Sequence, residues 1–269
     1  MGKFYEVLKR AEINYRDKDP DTGRAPVAVP TPRSMIKRDL PTVLHFELKS
    51  NETLVSGERS APEPADCYET LRTNLLARSS VQNFKTILFS GTTHGNGAST
   101  TAINFATTLA HNRQCYVLLI EANLRTPGIH TSFRIKREPG LSDFITKGDN
   151  PLFHLKNVGP ENLSVITAGS EHSSPVGLFE SDRFETLLLF MRDLFDYIIL
   201  DAPPVSGFSE ARVLCKKVDG VVLVLEAGKT RKQVAARAKK EIEEAGGDIL
   251  GVVLNKRKYY IPKWIYKML

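Results

Sequence analysis

Six short apolar runs, KTILFS, CYVLLIE, LSVITA, YIILDA, DGVVLVLEA and ILGVVLN, lie between residues 85 and 255, and most are β-branched without polar alternation. A strand wetted on one face alternates apolar and polar residues, whereas a strand covered on both faces reads as a continuous apolar run. These runs therefore fit a parallel sheet buried on both sides. The stretches between them, STTAINFATTLAHN, DRFETLLLFMRDLF, SEARVLCKKV and RKQVAARAKKEIEEAG, carry helical spacing, and DCYETLRTNLLARS reads as a capped helix leading into the first strand. The expected fold class is α/β, a doubly wound, mainly parallel sheet in one domain over residues 64–256. No internal repeat is visible.

Outside that domain the pattern weakens. Phe4, Val7, Leu8 and Ala11 fall at helical spacing, so residues 2–14 suit a short amphipathic helix, either a docking peptide or a frayed surface helix. Residues 16–64 carry scattered prolines and no sustained period apart from a possible strand at TVLHFEL, so residues 1–63 are expected to be a short helix plus an extended or disordered linker. Residues 257–269 form a basic, aromatic tail.

With 269 residues, 41% hydrophobic and 25% charged, the chain has the composition of a soluble globular protein. Thirty-seven Lys and Arg against 31 Asp and Glu give +6, a mild excess compatible with nucleic acid, an anionic membrane face or an acidic partner. Cys67, Cys115 and Cys215 show no paired spacing, so neither a disulfide framework nor a zinc site is indicated, which suits a reducing cytoplasm. No segment approaches the roughly 18 apolar residues of a membrane span, and the start MGKFYE lacks the Ser or Thr of a myristoylation signal. Any membrane association is expected to be peripheral.

The first strand runs into Gly91-Thr92-Thr93-His94-Gly95-Asn96-Gly97-Ala98-Ser99 and then into a small-residue helix. Glycines after a strand and before a helix free consecutive backbone N–H groups to converge on phosphate oxygens. The segment matches the pattern G-x-x-x-x-G-K-[ST] except at lysine, where Ala98 stands. Gly95, Asn96, Gly97, Ala98, Ser99 and Thr100 are thus candidate nucleotide-binding residues, with Ser99 at the position that ligates Mg²⁺. Ala98 offers no donor to the β and γ phosphates, and a charged hydrogen bond there contributes roughly 1.5–3 kcal/mol. The plainer alternative is a tight strand-to-helix turn that no longer holds nucleotide.

Taken with this loop, the stretches YVLLIEANLRTPGIH, DYIILDAPPV and DCYETLRTNL resemble the cytoplasmic domain of bacterial tyrosine kinases, from about Asp66 to Asn255. These are P-loop NTPase-like proteins of the deviant Walker A group that work with membrane polysaccharide co-polymerases in capsule and exopolysaccharide production. The resemblance implies ATP or ADP with Mg²⁺ as cofactors, weakened or lost here. The family's acidic motif, usually D-A-D-x-R-x-P, appears as Glu121-Ala122-Asn123-Leu124-Arg125-Thr126-Pro127, so its first acid is lengthened and its second, at Asn123, is neutral. Glu121 and Asp201, the latter matching the Walker B aspartate, are the candidate catalytic and Mg²⁺-holding residues beside Ser99. Arg125 and Asn255 are further candidates for contact with nucleotide.

The family's subunit-contact helix presents a Glu and two Arg residues, and those positions read Asp66, Glu69 and Arg72, which leaves a homo-oligomer possible but its usual contact in doubt. The family's tyrosine cluster is reduced to Tyr259, Tyr260 and Tyr266. The reading that follows is a catalytically impaired kinase relative, a regulatory or scaffolding component of exopolysaccharide synthesis and export, cytoplasmic and peripheral on the inner membrane. An active autokinase is the first alternative, with Arg125, His94 or a neighbouring subunit's cation in place of the lysine. A partition or division-site ATPase is the second. No nucleic-acid reader motif is present, and no nucleic-acid partner is expected.

Overall fold

The computed structural model describes residues 64–79, 84–111, 115–160, 162–172 and 174–257. The expected helix over residues 2–14, the strand TVLHFEL and the tail tyrosines lie outside the described residues. In chain order the elements are α1 (Pro64–Ser79), β1 (Thr86–Gly91), α2 (Ala98–His111), β2 (Val117–Glu121), α3 (Ile129–Ser132), α4 (Leu141–Lys147), a 3₁₀ turn (Pro151–His154), β3 (Lys156–Asn157), β4 (Leu163–Ile166), α5 (Pro175–Glu180), α6 (Asp182–Leu194), β5 (Tyr197–Asp201), α7 (Ser209–Cys215), β6 (Gly220–Glu226), α8 (Lys232–Glu244) and β7 (Ile249–Asn255). All six expected strands are present.

The described strands make one sheet in the order β3-β4-β2-β5-β1-β6-β7. Every pairing is parallel except that of β3, which runs antiparallel to β4. Strands β1, β2 and β4 are buried along their whole length, as their unalternating sequences require. β7, at the edge, alternates instead and leaves Val252 and Leu254 exposed. Parallel pairing aligns the carboxyl ends of β1, β5 and β2, with Phe89 opposite Asp201 and Asp201 opposite Glu121. The acids at those ends are thereby brought to one rim of the sheet, where this architecture places its ligand crevice.

Helix α2 explains its own composition of small residues. Ala102, Ile103, Phe105, Ala106, Leu109 and Ala110 are buried between the sheet and α1, and Phe105 meets Phe89 of β1 with ring centroids 5.3 Å apart. Thr101, Thr107 and Thr108 return their hydroxyls to carbonyls four residues back, each at 2.8 Å, which satisfies them where water is excluded. On the outer side, α1 places Leu75 in the core, and Asn104 of α2 donates to the Tyr68 hydroxyl at 3.1 Å. Helix α8 is the opposite case, with only Ala238 and Ile242 buried and pairs Arg237–Glu241, Lys239–Glu243 and Lys240–Glu244 along its exposed face. The three cysteines are free thiols, and among the described residues no helix is long and apolar enough to cross a membrane.

Asp219, just before β6, ties the amino end of the sheet together. Its Oδ2 accepts the N–H groups of Lys85 and Thr86 at 2.8 Å each, and Arg192 at the end of α6 donates Nη1 to both carboxylate oxygens at 2.7 and 2.9 Å. Burial alone would raise this carboxyl's pKa, but the two N–H groups and the guanidinium outweigh it and hold the acid below its usual range. A depressed carboxylate pKa adds stability above the unfolded value of about 3.9, and that stability is lost as pH falls through the lower folded value. Asp219→Ala is expected to cost about 2–3 kcal/mol in denaturant unfolding at neutral pH and to make stability less steeply dependent on pH below about 4.

Candidate functional site

At the carboxyl rim of the sheet, Gly91, the loop 93–97 and the start of α2 line a cleft of about 360 Å³ together with Asn123, Thr126, Ala202, Pro204 and Lys256. Gly95 and Gly97 both have left-handed backbone, φ +83° and +84°. At Gly97 that is doubly required, because a Cβ there would meet the Asn255 amide nitrogen at 2.2 Å. The Gly97 carbonyl then accepts the Thr101 N–H at 2.9 Å to begin α2, leaving the helix's first N–H groups toward the cleft.

Asn96 is buried and acts as the loop's internal staple. Its carboxamide nitrogen reaches the Thr92 hydroxyl at 3.0 Å, and the Val224 carbonyl and Thr230 hydroxyl at 3.4 Å, while its oxygen accepts from the Thr93 hydroxyl at 2.5 Å. From the far side, Asn255 donates its amide to the Asn96 carbonyl at 3.0 Å. Both asparagines therefore set the loop's shape with their side chains. Asn255 is one step behind the cleft lining, and its amide is engaged by protein backbone.

Beneath the loop, Asp201 is 1% exposed and lies near Ser99, with Oδ1 lacking any partner among the described residues. Burial pushes its pKa up to about 8; the Ser99 hydroxyl opposes the rise and the neighbouring Glu121 adds to it. A buried carboxylate oxygen left without a donor fits a position that a cation or its water would complete. Ser99 and Asp201 are the residues here that could hold a hard cation such as Mg²⁺.

Glu121 does not join them. Its Oε1 accepts the N–H groups of Gly128 and Ile129 at 2.5 and 2.6 Å, its Oε2 accepts that of Ala168 at 2.9 Å, and the side chain is wholly buried. His130 Nδ1 stands 3.9 Å from Oε2. The carboxylate is spent on backbone, so the expectation that Glu121 holds Mg²⁺ or activates a hydroxyl gives way to an anchoring role.

Asn123 lines the cleft, but its carboxamide is turned on its own loop, donating to the Thr126 hydroxyl at 3.1 Å and accepting the Thr126 N–H at 3.2 Å. Arg125, expected at the nucleotide, points elsewhere: it donates Nε to the buried Glu210 at 2.7 Å and lies over the Phe208 ring. Glu69 and Arg72 of α1 pair with each other at 2.7 Å. Lining residues not singled out from sequence are Thr126, Ala202, Pro204 and Lys256, the last of which directly follows the carboxyl end of β7.

No protein-family model matches the chain. Over 191 residues it is 32% identical to the tyrosine-protein kinase YwqD of Bacillus subtilis, covering 71% of this chain and 80% of that protein. Over 200 residues it is 33% identical to the tyrosine-protein kinase CpsD of Streptococcus pneumoniae, covering 73% and 86%. Among solved structures, the VpsO kinase domain superposes with a TM-score of 0.66 at 29% identity, covering 72% of this chain and 95% of that one. The Escherichia coli tyrosine kinase ETK domain, at 0.70 and 24% identity over 88% and 98%, and the Pyrococcus furiosus cell division ATPase MinD, at 0.55 and 19% over 63% and 71%, share the fold.

Two outcomes follow from these acids. Glu121→Gln, which offers an NH₂ where backbone donors converge, is expected to lower unfolding free energy by about 2 kcal/mol or more in a denaturant titration. Asp201 has a raised folded pKa, so its contribution to stability is fully present below the unfolded value of about 3.9 and is lost as pH rises through about 8. In metal-free buffer the melting temperature of the natural chain should fall more between pH 6 and pH 9 than that of Asp201→Asn.

Proposed function

The chain belongs to the bacterial tyrosine-protein kinase family, and we propose that it is a member impaired in phosphoryl transfer, serving as a regulatory or scaffolding component of exopolysaccharide synthesis and export. Its partner in this reading is a membrane polysaccharide co-polymerase or export protein, which it meets at the cytoplasmic face of the membrane. Nucleotide in the cleft would bias conformation instead of being turned over.

The observation that carries this reading is that no carboxylate lines the cleft among the described residues. A tyrosine hydroxyl, with a pKa near 10, needs a positioned base as it attacks phosphorus. Asn123 cannot accept that proton, Glu121 is wholly buried and engaged by three backbone N–H groups, and Asp201 lies under Ser99 with its pKa at about 8. Ala98 adds a second deficit, because it brings no charge to the transferring phosphate. Ser99 and Asp201 are the residues that would hold Mg²⁺, which would neutralise charge on the phosphate.

One observation favours the active-autokinase reading: the His94 side chain lines the cleft and belongs to the residue type that takes and releases protons near neutrality. Incubating the purified full chain with a co-polymerase's cytoplasmic segment and γ-labelled ATP separates the two. The expected result is no tyrosine label on the natural chain, and label appearing in an Ala98→Lys, Asn123→Asp double variant. Tyrosine labelling of the natural chain that His94→Gln or Asp201→Asn abolishes would replace the impaired reading with the active one.

A further inference from the structure

Lys256 follows the last residue of β7 with a left-handed backbone, φ +55°, a conformation uncommon for a residue carrying a Cβ. Its N–H donates to the Asn255 side-chain oxygen at 2.8 Å, and Asn255 in turn donates to the loop at Asn96. The strand end is therefore pinned to the phosphate loop, and the turn at 256 sends the lysine back across it. Nζ donates to the Gly95 carbonyl at 2.6 Å and stands 3.5 Å from Glu226 Oε2, and the side chain lines the same cleft as Ala98 and Ser99.

The charge balance there is positive. Glu226 is also paired with Lys229 at 3.4 Å, so two ammonium groups share one carboxylate beside a loop whose N–H groups already favour an anion. An ammonium on a four-carbon stem can exchange one oxygen for another without moving the backbone. Ala98, for its part, leaves unfilled the position from which a loop lysine would compete.

The geometry points to Lys256 as the cation that replaces the missing loop lysine, holding the polyphosphate of a nucleoside di- or triphosphate from the end of β7. This rests on the reading of the cleft as a nucleotide site and deepens it by naming the residue that supplies the charge. In this arrangement the cation comes from the carboxyl end of β7 instead of from the helix that follows the loop. Loss of catalysis and retention of binding are thereby separable: a phosphate can be gripped from a direction that does not place charge where the loop lysine would deliver it.

The test is calorimetric titration of the full chain with Mg-ADP and, as a probe of polyphosphate alone, with inorganic pyrophosphate. Four variants accompany it: Lys256→Met, Lys256→Arg, Lys229→Met, and Ala98→Lys added to Lys256→Met. Lys256→Met is expected to weaken both probes by about tenfold or more. Lys256→Arg and Lys229→Met should stay within a few-fold of the natural chain, and the added Ala98→Lys should recover binding. Unchanged affinity in Lys256→Met overturns the assignment. A loss shared by Lys229→Met, or one that Ala98→Lys does not recover, overturns it too, by marking a general charge effect or a structural prop for the loop. A natural chain that binds neither probe also overturns it, while leaving the impaired-kinase reading standing, since that reading is judged by tyrosine labelling.

Discussion

The carboxylate of Glu121, closed inside the sheet's rim by three backbone N–H groups, is the contact on which the rest of the site depends. It joins β2 to the start of α3 and to the segment after β4, elements separated by up to 47 residues in the chain. A charged acceptor of several N–H groups contributes more than neutral hydrogen bonds do, and it cannot be dismissed to do other work without leaving those donors stranded. Its fixed negative charge is felt by Asp201 on the adjacent strand, where it adds to the effect of burial. One acid thus sets the backbone of the rim and adds to the upward push that burial gives its neighbour's pKa.

The sheet was legible because strands buried on both faces leave a signature that depends on nothing outside themselves. Helix α2 could be read for a similar reason, since its small residues record close packing on two sides. What escaped was short or distant. β3 is two residues long and α3 four, and neither length carries a period. The motif that begins at Glu121 could be aligned letter by letter, yet the fate of each letter was decided by residues far along the chain: the N–H groups at 128, 129 and 168 for Glu121, and the buried Glu210 for Arg125. Lys256 had a usable signal in its place immediately after a strand that ends at the ligand rim, but no motif letter falls on it.

The parts of the cleft built from backbone, Gly95, Gly97 and the first turn of α2, have a geometry that suits phosphate, and Ser99 stands beside the buried Asp201. Two side chains of the lining, Ala98 and Asn123, neither deliver charge nor accept a proton. Asn96 and Asn255 show why the backbone part is hard to lose, because each is hydrogen-bonded across the loop and would strand partners if changed. Shape is protected by many contacts, whereas reactivity hangs on single atoms.

Asp201 carries a consequence for energetics of association. With its pKa raised to about 8, the acid is mostly neutral at physiological pH, so any divalent cation that takes it as a ligand must first displace a proton. Metal capture is then also an acid release, its observed heat containing the ionisation heat of whichever buffer accepts the proton. A divalent cation held by Asp201 would bind more tightly in mildly alkaline than in acidified solution, a coupling set by the depth at which one carboxyl group is buried.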